Sequence, residues 1–212
     1  MTYPPEMPPE NTADSQGNDI LKKTPQVYPV YVYRRTCQAI FDYCLHEAQR
    51  PSPREALGVI LGFRRLWQGK KYIRVTDWAT GRVEASIAYA RFTPEGILEY
   101  RLALHDRYGT NPHTPRVVGL WHSHPFGGDP HFSSTDLHTF FNTPFCAEGN
   151  VFFLIDPLSC IFKVYMLRPR LDEQGLQLEQ VDWCTYQPSV TIKTEPSLNE
   201  HNAVPEEEDT NV

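Results

Sequence analysis

Apolar residues recur along this chain in two rhythms, one of period two and one close to 3.6, and together they predict a mixed strand-and-helix domain. VYPVYVYR, around Tyr28–Arg34, reads as a short strand. In TCQAIFDYCLHEAQR (36–50), Cys37, Ile40, Phe41, Cys44 and Leu45 fall at helical spacing and should pack one face on a core. PSPR then breaks the helix. ALGVILGF (56–63) is a continuous apolar run of strand length, as expected of a strand buried on both faces. KYIRVTDWAT (71–80) and ASIAYARF (85–92) are β-like, whereas TPEGILEYRLALHDRYG (93–109) opens on a Thr cap with Glu95 in its first turn and reads as a helix. RVVGLWHSH (116–124) predicts a strand, and SSTDLHTFFNTPF (133–145) a helix start behind a Ser cap. NVFFLIDP (150–157) and CIFKVYMLR (160–168) predict a hairpin around Pro157–Ser159. The alternation implies a single α/β (α+β) domain over 27–187, a central sheet flanked by helices.

The two ends differ from this body. Residues 1–26 are rich in Pro, Asn, Ser and Asp, and 188–212 end in PEEEDTNV; both read as disordered tails, the second acidic. They also account for the net charge of −6. Residues 1–24 carry four acids and two bases and 188–212 six acids and one base, which leaves 25–187 at +1. A nearly neutral body lacks the basic footprint of a nucleic-acid binder. No stretch approaches the roughly 20 apolar residues of a membrane span, and the start has no apolar core or basic flank of a signal peptide. A soluble cytoplasmic protein is expected. Cys37, Cys44, Cys146, Cys160 and Cys184 are odd in number and scattered, which suits reduced thiols rather than a disulfide framework.

The chemistry concentrates in W-H-S-H-P-F-G-G-D-P-H-F-S-S-T-D-L-H, residues 121–138. His122 and His124 stand two apart on a predicted strand, so both imidazoles point to one side and can offer nitrogen donors to one metal. A Gly- and Pro-containing loop can reverse the chain, and Asp136 in the first turn of the next helix can add a carboxylate oxygen. Two His and one carboxylate leave a fourth position for water, the pattern of a catalytic rather than a structural zinc site. Glu55 directly precedes a buried apolar strand, where a charge is costly without a purpose or a partner; it is the candidate general base. Ser133 can donate a hydrogen bond to a developing oxyanion.

This arrangement resembles the JAMM/MPN zinc metalloproteases. EALGVILG, HSHP and SSTD occur here in the order that family uses: a glutamate before an apolar strand, then H-x-H-P, a loop, and S-x-x-D. The resemblance implies a mostly antiparallel central sheet, Zn2+ held by His122, His124 and Asp136, water activated by Glu55, and an intermediate stabilised by Ser133. It also implies a ubiquitin-like protein or its conjugate as substrate, cut at the amide after its C-terminal tail, and a stand-alone prokaryotic-type JAB peptidase as the nearest style of member. The segment 84–115 is then the expected substrate-contacting element. Eleven residues separate His124 from Asp136, where many members have ten, and the loop FGGDPHF should absorb the extra one.

Plainer readings exist for each residue. Asp136 could answer a helix dipole, Ser133 could be an N-cap alone, Glu55 could end a solvated turn, and the two histidines could be structural. His131 is expected on a solvent-exposed loop and His138 on a different helix face from Asp136, His105 and His113 have no evident partners, and no Cys/His set suggests a second zinc. Two rival functions remain beside the first: a JAMM peptidase acting on a sulfur-carrier or other peptide, and a non-catalytic MPN scaffold, which would typically have lost the ligands retained here.

Overall fold

The computed structural model describes residues 27–141, 145–170 and 175–188. The tails expected over 1–26 and 188–212 therefore lie outside the described residues, save for Pro188. In chain order the elements are β1 (Val30–Tyr33), α1 (Arg34–Ala48), β2 (Leu57–Trp67), β3 (Lys70–Ala79), β4 (Val83–Ala85), β5 (Ala90–Phe92) and α2 (Pro94–Tyr108). They continue with β6 (Arg116–Ser123), α3 (Ser134–Phe141), β7 (Val151–Asp156), β8 (Ile161–Pro169), β9 (Leu176–Gln180) and β10 (Trp183–Tyr186).

Eight strands form one sheet in the order β10-β1-β3-β2-β6-β7-β8-β9, while β4 and β5 make a separate two-stranded ribbon. In the large sheet β2–β3, β2–β6, β7–β8 and β8–β9 pair antiparallel. The pairs β1–β10, β1–β3 and β6–β7 are parallel.

The period-two rule explains how one sheet supports two cores. Ile60, Trp121 and Phe153 face α1 and pack with Ile40 and Cys44. Their neighbours Val59, Leu61, Leu120 and Phe152 face the other way, against Tyr100 of α2 and Phe140 of α3. Strand β2 is buried over its first six residues, as the apolar run predicted, then alternates through FRRLW and extends beyond the predicted end.

Three departures from the sequence pattern have local causes. ASIAYARF is not one strand: Ser86 accepts from Ala88 N at 3.1 Å through Oγ and donates its N–H to Tyr89 O at 2.9 Å, folding the middle into a turn between β4 and β5. The buried stripe of α1 runs through Thr36, Ile40, Cys44, Glu47 and Ala48, so an acid occupies an inward position. Helix α2 is capped by Thr93 Oγ1, which accepts from Gly96 N at 3.0 Å, yet it buries only Gly96 and Tyr100 and leaves Ile97, Leu98 and Leu102 exposed. Among the described residues no helix is long and apolar enough to cross a membrane.

Candidate metal centre

The C-terminal end of β6 delivers the first two site residues. His122 pairs with Leu57 of β2 and Leu154 of β7, and His124, just past the strand, continues the ladder by donating its N–H to Ile155 O at 2.8 Å. Two residues apart, they share the face turned toward α3. Their rings meet edge to face with centroids 4.9 Å apart, and Phe140 of α3 stands against His122. Ser123, between them, faces the opposite way and is fully buried; its Oγ accepts from Ala56 N at 2.9 Å, while its N–H donates to Ala56 O at 2.9 Å.

Those bonds clamp the residue after Glu55. Glu55 itself donates its N–H to Ser86 O at 2.8 Å, in the turn between β4 and β5. Arg54, before it, is tied through its guanidinium to the buried Glu47 carboxylate of α1. Three consecutive residues are thus fixed from three directions, and the Glu55 side chain enters the site only 3% exposed.

Asp136 arrives from α3. Ser133 is the residue before the helix, and its Oγ accepts from Asp136 N at 3.1 Å. In return Asp136 Oδ2 accepts from Ser133 N at 2.7 Å and Ser133 Oγ at 2.8 Å. This reciprocal box satisfies helix-terminal donors and freezes the carboxylate orientation.

The four side chains converge. His122 Nε2 lies 3.2 Å from both Glu55 Oε2 and Asp136 Oδ1. His124 Nε2 is 3.3 Å from Asp136 Oδ2 and 3.8 Å from Glu55 Oε1. One potential ligand atom from each lies within 4.8 Å of every other. His122, His124 and Asp136 are 1%, 5% and 8% exposed. Burial would depress the imidazolium of His122, but the Asp136 and Glu55 carboxylates outweigh it and raise that group to about 9. Burial likewise opposes ionisation of Asp136, and the two imidazoles overcome it and hold its carboxyl far below the usual carboxylate range.

This donor set fits a divalent cation. Despite separations of 3.2 Å, His122 Nε2 and Glu55 Oε2 are buried and make no hydrogen bond of acceptable geometry. Buried polar atoms normally find a partner, and a cation bound among these side chains would give them one. Two imidazole nitrogens with carboxylate oxygens suit zinc-like, borderline cations.

All four residues singled out for metal and base chemistry meet at this point, and Ser133 sits at its rim as an exposed cap. The other histidines weighed from the sequence do not join. His131 is exposed with Nδ1 2.7 Å from Asp129 O, and His105, His113 and His138 are on the surface. Among the described residues no second His/Cys/Asp/Glu group could hold an ion. The sequence reading missed Ser86 and Ser123, whose contributions come from pairings between segments far apart in the chain, and Glu47, whose arginine partners follow it closely. The family model described as prokaryotic homologs of the JAB domain matches residues 38–162. No curated protein matches the chain.

Proposed function

The chain belongs to the prokaryotic JAB-domain family, and from that premise we propose that it is a zinc-dependent peptidase of the JAMM type that cuts the amide following the C-terminal tail of a ubiquitin-like protein. The observation that carries the proposal is the convergence of Glu55, His122, His124 and Asp136, all buried, with atoms of His122 and Glu55 left without hydrogen bonds.

His122 Nε2, His124 Nε2 and an Asp136 carboxylate oxygen would hold the metal. Zinc bound there would supply Lewis-acid chemistry, polarising the scissile carbonyl and bringing the pKa of water down to about 7. Glu55 does the proton work: its carboxylate takes a proton from the attacking water and returns it to the departing amine. Its backbone clamps to Ser86 and its neighbours' clamps to Ser123 and Glu47 keep that carboxylate aimed. Ser133 Oγ gives its hydrogen to Asp136 Oδ2 in the free protein. Exposed at the rim, it can turn that hydrogen toward the developing oxyanion.

The segment 84–115 supports the substrate assignment. It supplies most of the β4–β5 ribbon, the turn whose Ser86 accepts from the Glu55 backbone, and α2. Beside His122's neighbour Phe140 lies a groove of about 560 Å³, mainly apolar, lined among others by Leu57, Phe92, Ile97, Tyr100 and Leu104. An extended tail passing along the free edge of a two-stranded ribbon into such a groove gains main-chain hydrogen bonds and apolar burial together.

The test is cleavage of a panel of ubiquitin-like fusions by wild type and Glu55→Gln, with zinc content measured on both. Wild type should cut after the terminal Gly, and Glu55→Gln should retain zinc while losing about 10²–10⁴-fold in turnover. A zinc-loaded wild type that cuts none of the fusions removes the substrate assignment. An active preparation free of metal removes the mechanism.

A further inference from the structure

The loop between the second histidine and the aspartate has to bring Asp136 back to His124 across eleven residues. Closing a flexible loop of that length costs ordering entropy. The structure holds the loop in place through residues that lie outside the motif. Strand β7 ends with Ile155 and Asp156, and both contact the chain around Pro125. Ile155 O accepts from His124 N at 2.8 Å. The Asp156 carboxylate, 1% exposed, then accepts five backbone N–H groups from two loops.

The two oxygens divide this work. Oδ1 accepts from Leu158 N and Ser159 N, both at 2.9 Å, which builds the β7–β8 turn that a strand-ending Asp ordinarily builds. Oδ2 accepts from Phe126 N at 3.3 Å, Gly127 N at 2.8 Å and Gly128 N at 3.1 Å. Forming the hairpin does not require that second set, which crosses 28 to 30 residues to the loop leaving His124. Gly127 takes a positive φ of 72°, so the backbone bends around the oxygen in a way an L side chain would resist. Farther along, Lys163 of β8 donates Nζ to Pro130 O at 3.1 Å and pairs with Asp129 at 2.6 Å. From His124 to the Ser133 cap the chain is pinned by Ile155, Asp156 and Lys163 in turn.

We infer that Asp156 is a positioning residue for the metal centre: through Oδ2 it fixes the 126–128 loop, so that His124 and Asp136 are held at ligating separation before any ion arrives. The inference rests on the metallopeptidase reading for the ion concerned, and extends it to a residue that touches neither ion nor substrate. Pre-ordering of this kind raises affinity because the ordering cost no longer falls on binding.

Asp156→Asn tests the claim. The amide has one accepting oxygen where the carboxylate has two, so it cannot serve the β7–β8 turn and the loop together, and its NH2 faces donors on whichever side it takes. Zinc affinity is measured by chelator competition on the full chain, well below the melting temperature, beside the absorption spectrum of the Co2+-substituted protein. Asp156→Asn should bind zinc about 10- to 100-fold more weakly, the usual effect of losing an outer support of a metal site, with a shifted Co2+ spectrum. Thr36→Ala, which removes the 2.7 Å bond from Thr36 Oγ1 to Thr76 O on the other face of the sheet, is the destabilised control and should leave both unchanged. Should Asp156→Asn fail to fold, Lys163→Met releases the same loop at Pro130 and should weaken zinc severalfold. A folded Asp156→Asn with wild-type affinity and spectrum overturns the positioning role alone. A wild type that takes up no zinc overturns the metal reading with it.

Discussion

Ser133 and Asp136 hold each other: Ser133 Oγ donates to Asp136 Oδ2 at 2.8 Å and accepts from Asp136 N at 3.1 Å, while Asp136 turns its other oxygen to His122. One hydroxyl therefore serves helix α3 and the metal centre together. Ser133→Ala should cost about 1 kcal/mol as a lost cap. If the hydroxyl also meets the oxyanion, turnover should fall about 10²–10³-fold. Ser133→Gly separates the effects, since Gly at a cap costs only a few tenths of a kcal/mol, about. Melting temperature and kcat are measured on both. A Ser133→Gly enzyme with wild-type kcat would confine Ser133 to capping.

Metal removal should register in stability as well as in activity. An ion that binds the folded chain alone stabilises it by about 2.7 kcal/mol when free metal is a hundred times Kd. For a body of this size that corresponds to a rise of about 5–10 °C in Tm. Calorimetry with zinc and with a strong chelator should show that gap in wild type. His124→Ala, lacking one converging nitrogen, should show little of it; an equal gap in that variant would place the ion elsewhere.

The convergence of these side chains was legible in the sequence to the extent that it depends on short-range geometry. Strand periodicity alone puts His122 and His124 on one face, and S-x-x-D alone puts Asp136 in a capped first turn. Glu55 is different: it reaches the site because β2 pairs with β6 so that Leu57 stands opposite His122, a contact across 65 positions that no local pattern encodes. It was singled out as a charge beside an apolar strand, and the order of motifs in the resemblance supported that choice. The same limit hid strands β9 and β10, whose short runs LQLEQ and WCTY become strands by pairing with β8 and β1. It also hid the distant partners of Asp156 in the 126–128 loop, whereas Glu47 was missed because an acid on the inward stripe of α1 breaks the apolar pattern, although Arg50 and Arg54 lie close by in the chain. The fold class and the two long helices, by contrast, followed from spacing and caps.

Gly58 lies opposite Trp121 in the β2–β6 pairing, and a Cβ there would come within 2.3 Å of the indole ring. Trp121 is fully buried and packs edge to face with Tyr43 and Trp78, at centroid distances of 5.7 and 5.6 Å, so it has no open direction in which to yield. Gly58→Ala should destabilise the chain by about 1–3 kcal/mol through overpacking. Because Trp121 precedes His122, zinc affinity should fall as well. Denaturant unfolding with zinc titration checks both, and an unchanged midpoint would mean that the indole relocates freely.

Glu47 gives the stability of the fold an acid limb of determinate sign. Its side chain is buried on α1, and Arg54 and Arg50 both bind it, Arg50 at 2.9 Å. Burial pushes the carboxyl up, but Arg54 first and then Arg50 outweigh that and hold it below its ordinary value, about 4.3 for Glu. A carboxyl depressed in the folded chain contributes stability that is present above the unfolded value and lost as pH falls through the folded one. Wild type should therefore lose stability in the range below about pH 4.5, and Glu47→Gln, less stable at pH 7, should lose less there. Urea midpoints for the two proteins, compared from pH 7 downward, should converge. The tether to Arg54 adds a second consequence, because Arg54 precedes Glu55: Glu47→Gln should also lower kcat at pH 7 without releasing zinc, since the base is loosened while His122, His124 and Asp136 stay in place. Parallel midpoint curves would show that the ion pairs do not hold the acid down in solution, and an unaltered kcat would show that Glu55 is aimed by Ser86 and Ser123 alone.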